Sequence, residues 1–180
     1  MKIEEIKIID NKLILPKRLL RILKWKYPFY KIPDLNEYSQ RIINFSKENN
    51  QLPFYSKFDI NNDGNEEIMI IHKSVIGGHG RLLIISLKDR KFKFDRIKWN
   101  RPVNSLFFDY LIEQAPPKKY KTLEYIFRKN NHLKIPEKII VNHPHIVTKG
   151  YLRSIVYWNG EKYCQEKVSS IDGETKVIIR

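Results

Sequence analysis

The chain has little of what usually announces a function. Its 180 residues contain one cysteine, Cys164, so no disulfide can form within it. That argues against a cysteine-rich secreted scaffold and against a cysteine-based zinc site. No apolar run approaches the ~18–20 residues that a membrane-spanning helix needs. The N-terminal stretch MKIEEIKIIDNKLILPKRLL is broken by acidic residues and lysines, with no small-residue cleavage site, so it does not read as a signal peptide. The sequence carries no G-x-S-x-G, Walker or H-E-x-x-H motif. No internal repeat or low-complexity segment is present.

Acidic residues are also scarce. There are 20 Asp and Glu against 34 Lys and Arg, giving a net charge of +14. Such an excess invites a polyanion as partner. It is spread along the chain, however, without an arginine-rich helix or a long basic run, which reads as a solvated basic surface. Hydrophobic residues make up 42% and aromatics 12%. That content suits a globular chain with a real core and one domain over residues 1–180.

Two helices are expected in residues 1–50. Residues 3–15 read as a short strand pair about Asp10-Asn11. Pro16 then opens a helix with Leu19, Leu20, Ile22, Leu23 and Trp25 on its apolar face, and Pro28 stops it. A second helix is expected over 34–48, with Asp34 as N-cap and Glu37 three residues on as a capping box. Its apolar face is Leu35, Tyr38, Ile42, Ile43 and Phe45. Residues 51–180 read as mainly β. EIMIIHK and RLLIISLK are continuous apolar runs suited to strands covered on both faces, joined through the glycines of SVIGGHG. KFKFD alternates and is expected to end or bulge after Asp95. Residues 100–135, with Pro102, Pro116 and Pro117, read as loops with short strands or one short helix. LRSIVYWNGEKYCQEKV reads as a hairpin on the two-residue turn Asn159-Gly160. The expected fold class is α+β, with N-terminal helices packed on a mainly antiparallel sheet.

The chemistry concentrates in FDINNDGNEEIMII, residues 58–71. Counting from Asp59, oxygen donors fall at position 1 (Asp59), position 3 (Asn61) and position 5 (Asp63). Gly64 at position 6 permits a sharp turn. Asn65 at position 7 offers a main-chain carbonyl, and Glu67 stands at position 9. Hard oxygens at this spacing wrap around one point and suit Ca2+. An EF-hand also requires Glu at position 12, where this chain has Ile70, so the loop is not an EF-hand. The other reading is an Asx-rich turn in which Asp59 and Asp63 bond main-chain N–H groups.

At these residues the chain resembles the D-x-N-x-D-G-x-x-[DE] loop-plus-strand of FG-GAP and VCBS-type proteins, whose loops bind calcium in propeller blades. One copy in 180 residues excludes a propeller. The chain more closely resembles small uncharacterised bacterial proteins, mostly exported or lipid-anchored, that carry a single such loop. The shared pieces are Leu15-Pro16 with Tyr27-Pro28, then Pro116-Pro117-Lys118-Lys119-Tyr120-Lys121-Thr122, then Val156-Tyr157-Trp158-Asn159-Gly160-Glu161-Lys162-Tyr163. They span most of residues 15–163 in the same order. The departures are the missing leader, the basic charge and Lys118 where the pattern has glycine. The resemblance implies a calcium-loop domain with a periplasmic or cell-envelope location; a native chain without a leader would instead be cytoplasmic. It implies no activity.

Catalytic groupings are sparse. His143-Pro144-His145 is a pair two residues apart that an extended chain turns to one face, as zinc ligands need, but no third ligand follows. His72, His79 and His132 stand alone. The aromatics of YWNGEKY with Trp99 and nearby lysines fit base stacking, yet equally fit cross-strand packing in a hairpin. The sequence therefore reads as a non-enzymatic, calcium-loop-containing binding or structural domain. Its partner is an unknown protein or the cell envelope, with peripheral membrane contact left open. A basic nucleic-acid-binding module is the rival. DNA and RNA are expected not to bind with sub-micromolar affinity at about 0.15 M salt, which an anisotropy titration over a salt series checks.

Overall fold

The computed structural model describes residues 6–10, 12–75, 80–88, 91–98, 111–122, 138–149 and 153–171. Two helices form, α1 (Lys17–Lys26) and α2 (Gln40–Glu48), with a 3-10 turn at Leu35–Glu37. The first strands are β1 (Lys7–Ile9), β2 (Lys12–Ile14), β3 (Tyr30–Lys31) and β4 (Tyr55–Phe58). Three long strands follow: β5 (Glu67–Ser74), β6 (Gly80–Lys88) and β7 (Lys91–Lys98). The last six are β8 (Leu111–Ala115), β9 (Lys118–Thr122), β10 (Lys138–Val141), β11 (His145–Lys149), β12 (Arg153–Trp158) and β13 (Tyr163–Ile171).

The strands form three antiparallel sheets. β1 and β2 pair alone. A five-stranded sheet runs β3-β5-β6-β7, with β4 sharing the β5 edge that β3 uses further along. A six-stranded sheet runs β10-β9-β13-β12-β11-β8.

The apolar runs of β5 and β6 are buried on both faces, as their lack of alternation requires. One face presents Ile68, Ile70, Leu83 and Ile85 to a cluster with Leu19, Leu23 and Tyr27 from α1 and its C-terminal end. The other presents Met69, Ile71, Leu82 and Ile84 to Ile112, Ile146 and Val156 of the six-stranded sheet, and to Ile42 of α2. In the second sheet the neighbours Val147 and Ile155 point the opposite way, into a third cluster with Tyr120, Val141 and Val168.

The α+β expectation is therefore overturned. Thirteen strands in three sheets stand against two α-helices among the described residues, so the chain is mostly β. The larger apolar cluster lies between two sheets, where helices on one sheet were expected. The cause lies in the second sheet. Its strands β8 to β11 are four or five residues long, and they pair with distant partners, β8 with β11 and β9 with both β10 and β13. No local pattern carries such pairing.

Smaller corrections have local causes. Leu20 and Trp25 of α1 are exposed, Trp25 at 82%, since of the helix's apolar side chains only Leu19 and Leu23 are buried. The expected second helix splits. The capping box of Asp34 and Glu37 is present, but it caps the 3-10 turn, and the extended backbone of Tyr38 and Ser39 separates that turn from α2. Glu37 is also drawn away by Lys31 and Lys73, which bridge its two oxygens. Strand β7 does not end or bulge after Asp95. It stays in register with β6 to Lys98, and its apolar side chains change face, from Phe92 and Phe94 to Ile97. The last hairpin is present, but its connection is four residues long. Trp158 pairs with Tyr163, and the Asn159 side chain accepts from the N–H groups of Glu161 and Lys162, with Gly160 at φ +100°. Asn11, the 76–79 reversal, Trp99 and Pro102 lie outside the described residues, as do His79 and His132.

Ile84 is fully buried between the sheets. Ile84→Ala should cost about 2–5 kcal/mol in urea denaturation, whereas Trp25→Ala should stay within about 0.5 kcal/mol of the parent.

Candidate metal centre

Residues 59–66 close the β4–β5 hairpin, with Phe58 paired to Glu67 at its base. The buried side chains of Phe58 and Ile60 anchor the first limb, and the core run of β5 anchors the second. Asn62 at φ +58° and Gly64 at φ +86° let the chain curl between them. No neighbouring atom lies within 4 Å of where a Gly64 Cβ would stand. Glycine is required there for backbone conformation and not for space.

The curl is held by its own polar side chains. The Asp59 carboxylate accepts from Asp63 N–H at 3.1 Å and from Gly64 N–H at 2.8 Å. Asn61 Oδ1 accepts from Asp63 N–H at 3.0 Å. Asp63 Oδ1 accepts from the main-chain N–H of Asn65 at 2.9 Å and from its Nδ2 at 3.0 Å. Asn61 Nδ2 donates to Asp63 Oδ2 and to Glu67 Oε1, each at 3.2 Å. The Asx-turn geometry is thus present in full. It does not consume the oxygens, because a carboxylate oxygen that takes one N–H keeps a second lone pair.

Glu67 differs from the others. It is 1% exposed, while Asp63 and Asn65 are at the surface. Its Oε2 accepts from Ile60 N–H at 3.2 Å. Burial pushes its carboxyl up to about 7, and the charges of Asp63 and Asp59 add to this against the hydrogen bond from Ile60. Asp63 moves the other way: its slight burial opposes ionisation, but hydrogen bonds from Asn65 and Asn61 outweigh it and lower its pKa. Lys57 pairs with Glu66 at 2.7 Å. Among the described residues no salt bridge reaches Asp59, Asp63 or Glu67.

One participant comes from outside the loop. The Tyr163 hydroxyl lies near the side chains of Asn61, Ser86 and Glu67. Burial first, then the Glu67 charge, pushes this phenol up to about 12. The same ring packs on Trp158 at 4.9 Å between centroids, the cross-strand packing expected of the hairpin. Tyr163 thereby ties the six-stranded sheet to the loop of the five-stranded one. Nothing in the sequence near residue 163 signals this, because the contact depends on how the two sheets stack.

The five predicted residues thus share one loop. Asp59, Asn61, Asp63 and Glu67 are linked through hydrogen bonds, and Asn65 joins through Asp63. Their donors are hard oxygens, the chemistry Ca2+ selects. As they stand, among the described residues, no three His, Cys, Asp or Glu side chains converge to hold a metal; the Asn61 NH2 group occupies the position between Asp63 and Glu67.

The other candidates do not assemble. His145 is buried, with its Nε2 against the Tyr120 hydroxyl and its Nδ1 on the carbonyl of His143, so neither nitrogen is open to zinc. His72 is buried beside the rings of Tyr27 and Tyr30, at 5.6 and 5.1 Å. An open cleft of about 410 Å3 beside β4 and β8 is lined by Ser56, Lys57 and Glu113 among others, without a histidine or cysteine. Comparison with protein-family models, curated proteins and solved structures returns no match.

Burial lowers the His72 imidazole to about 4 from its ordinary 6.5, against a hydrogen bond with the Tyr30 main chain. A histidine depressed on folding is neutral in the native state, while the unfolded chain takes up a proton. Its contribution is therefore complete above pH 6.5 and is lost as pH falls toward 4. Glu67, raised to about 7, contributes the opposite slope over much of this range, so the His72 contribution is read by difference. In chemical denaturation His72→Phe should lose less stability than the parent as pH falls from 6.5 to 4.

Proposed function

We propose that residues 59–67 are a weak calcium-type site bracing a non-enzymatic binding domain that acts through protein or cell-envelope contacts. The observation that carries the reading is Glu67, a carboxylate withdrawn from water and set against Asp59 and Asp63, with no salt-bridged cation among the described residues. Like charges so placed repel one another, and a buried carboxylate is costly without a counter-charge. A divalent cation relieves both costs. Asp59, Asn61, Asp63, the main-chain carbonyl of Asn65 and Glu67 would hold it. When bound, the ion supplies charge neutralisation and rigidity, with no catalytic chemistry.

The role fits the position. The loop sets the start of β5 and, through Asn61 and Tyr163, touches the other sheet. Fixing it therefore fixes the alignment of two layers. A loop without a bidentate Glu at position 12 binds calcium with a dissociation constant on the order of 10⁻⁴ to 10⁻³ M, the range of extracellular modules. That affinity agrees with an envelope or external setting.

Adding calcium to about ten times the weaker limit of that range should stabilise the fold by about 1.4–2.7 kcal/mol, a rise in Tm of roughly 3–10 °C. Asp63→Ala and Glu67→Gln should abolish the shift. The control must respect the backbone: Asn62 has φ +58°, so alanine there would strain the turn, whereas Asn62→Gly should keep the full calcium response. A wild-type melt that calcium leaves unmoved would establish the loop as a purely polar turn.

A further inference from the structure

Away from the loop, we propose that the outward face of α1, with Phe29 and Val75, docks on an anionic lipid surface. α1 reads KRLLRILKWK, five cations in ten residues with no acid. Leu19 and Leu23 mark its inward side. At 100° per residue Lys17, Arg21, Lys24 and Trp25 fall on the opposite side, and all four are exposed. Lys26 is instead turned back over the Phe94 ring, 4.7 Å from its centroid. Trp25 is 82% exposed, and Phe29 and Val75 are each 58% exposed. Phe29 follows the helix by three residues, and its carbonyl accepts from Val75 N–H at 2.8 Å. Phe29 and Val75 therefore lie side by side just beyond the C-terminal end of α1, whose last turn carries Trp25 and Lys24.

This arrangement works against local stability. Lys17 sits at the positive end of the helix dipole, with no acid in the first turn and no side-chain cap. Lys17 with Arg21, and Arg21 with Lys24, are like charges at four- and three-residue spacing, which repel. A large indole in water adds nothing to the core. Departures of this kind from local rules mark functional surfaces. The combination selects lipid. Cations meet headgroup phosphates, tryptophan settles at headgroup depth, and Phe29 and Val75 enter the acyl boundary. A nucleic-acid face would use the ring stacking and the charge, whereas Phe29 and Val75 exposed together beside the cations add apolar area that headgroup phosphates and an acyl boundary meet at once.

The test uses the full chain in EDTA, so that the 59–67 loop plays no part, and measures co-sedimentation with two vesicle types. One is pure phosphatidylcholine and the other contains roughly one-third phosphatidylglycerol. The protein should sediment with the anionic vesicles alone, less so as salt rises, and its tryptophan emission should shift to the blue. Trp25→Ala should remove the blue shift. Both Arg21→Glu with Lys24→Glu and Trp25→Ala with Phe29→Ala should weaken binding about tenfold or more, with melting curves unchanged. Lys91→Glu with Lys119→Glu, an equal change of charge on β7 and β9, should weaken it far less. Absence of binding, or equal loss in the two charge-reversed proteins, would refute the docking face. Tighter binding of a single-stranded oligonucleotide through the same side chains would replace lipid with nucleic acid.

Discussion

Everything in this fold leans on one strand buried on both faces. From Glu67 to His72 every residue of β5 is out of solvent, and the strand is hydrogen-bonded along both edges. Its odd-numbered hydrophobes, Met69 and Ile71, bind the second sheet, while Ile68 and Ile70 bind α1. A fully buried apolar side chain contributes about 1.5–3 kcal/mol, so these four residues are a principal source of cohesion between the layers. The two ends of the buried run are ionisable. His72 is accommodated as a neutral ring among tyrosines. Glu67 is accommodated less completely: two donated hydrogen bonds favour its charge, while burial and the charges of Asp63 and Asp59 oppose it. The candidate metal centre is the polar end of the strand that organises the core.

The N-terminal segment is fastened to the same strand by electrostatics. Glu37 sits on the 3-10 turn and receives Lys31 and Lys73 on its two oxygens. Burial works against its ionisation, but hydrogen bonds from both lysines hold its carboxyl at about 2. Lys73 belongs to β5, and Lys31 to the short strand β3 paired with it. The bridge therefore links the turn, the edge and the central strand. Its groups are partly in water, so its contribution lies near the upper end of the surface range, about 1 kcal/mol. Its larger effect is to place Leu35 and Tyr38 against Phe54 in the cluster between the sheets.

What the sequence made legible was local. The glycine and asparagine spacing of 59–67 identified a tight polar loop, and the turn has that form. The unbroken runs of β5 and β6 announced burial on both faces. Pro16, Pro28 and the apolar face of Leu19, Leu20, Ile22, Leu23 and Trp25 placed α1, although only Leu19 and Leu23 of that face are buried. What stayed hidden depended on partners remote in the chain. The second sheet is assembled from short strands whose neighbours lie far apart, as Leu111–Ala115 does with His145–Lys149. The contact of Tyr163 with Asn61 requires both sheets to be stacked first. The exposure of Trp25 required knowing that α1 meets its sheet through so narrow a stripe, since periodicity alone counted the indole as core. The basic excess looked dispersed for the same reason: the helix gathers at one face cations that the linear sequence interleaves with leucines.

The two surfaces set apart by this reading occupy opposite ends of β5. The loop leads into Glu67, and Val75 follows the last residue of the strand, with Phe29 hydrogen-bonded beside it. At about 3.3 Å per residue, the eight steps between Glu67 and Val75 separate them by roughly 25 Å. That exceeds the screening length of about 8 Å at physiological salt, so an ion in the loop does not act on a surface held at the other end through its field. Nor can it bridge the chain to a lipid phosphate there, since a calcium–oxygen bond spans about 2.3–2.6 Å. Any effect of the ion on docking has to travel through the fold, as added stability of β5 and of the sheets that clasp it. A carboxylate loop and a cationic helix on one small domain would attract each other, or compete for the same partner, if they were adjacent. Their separation along a central strand buried on both faces would let each of the two proposed surfaces keep its own chemistry.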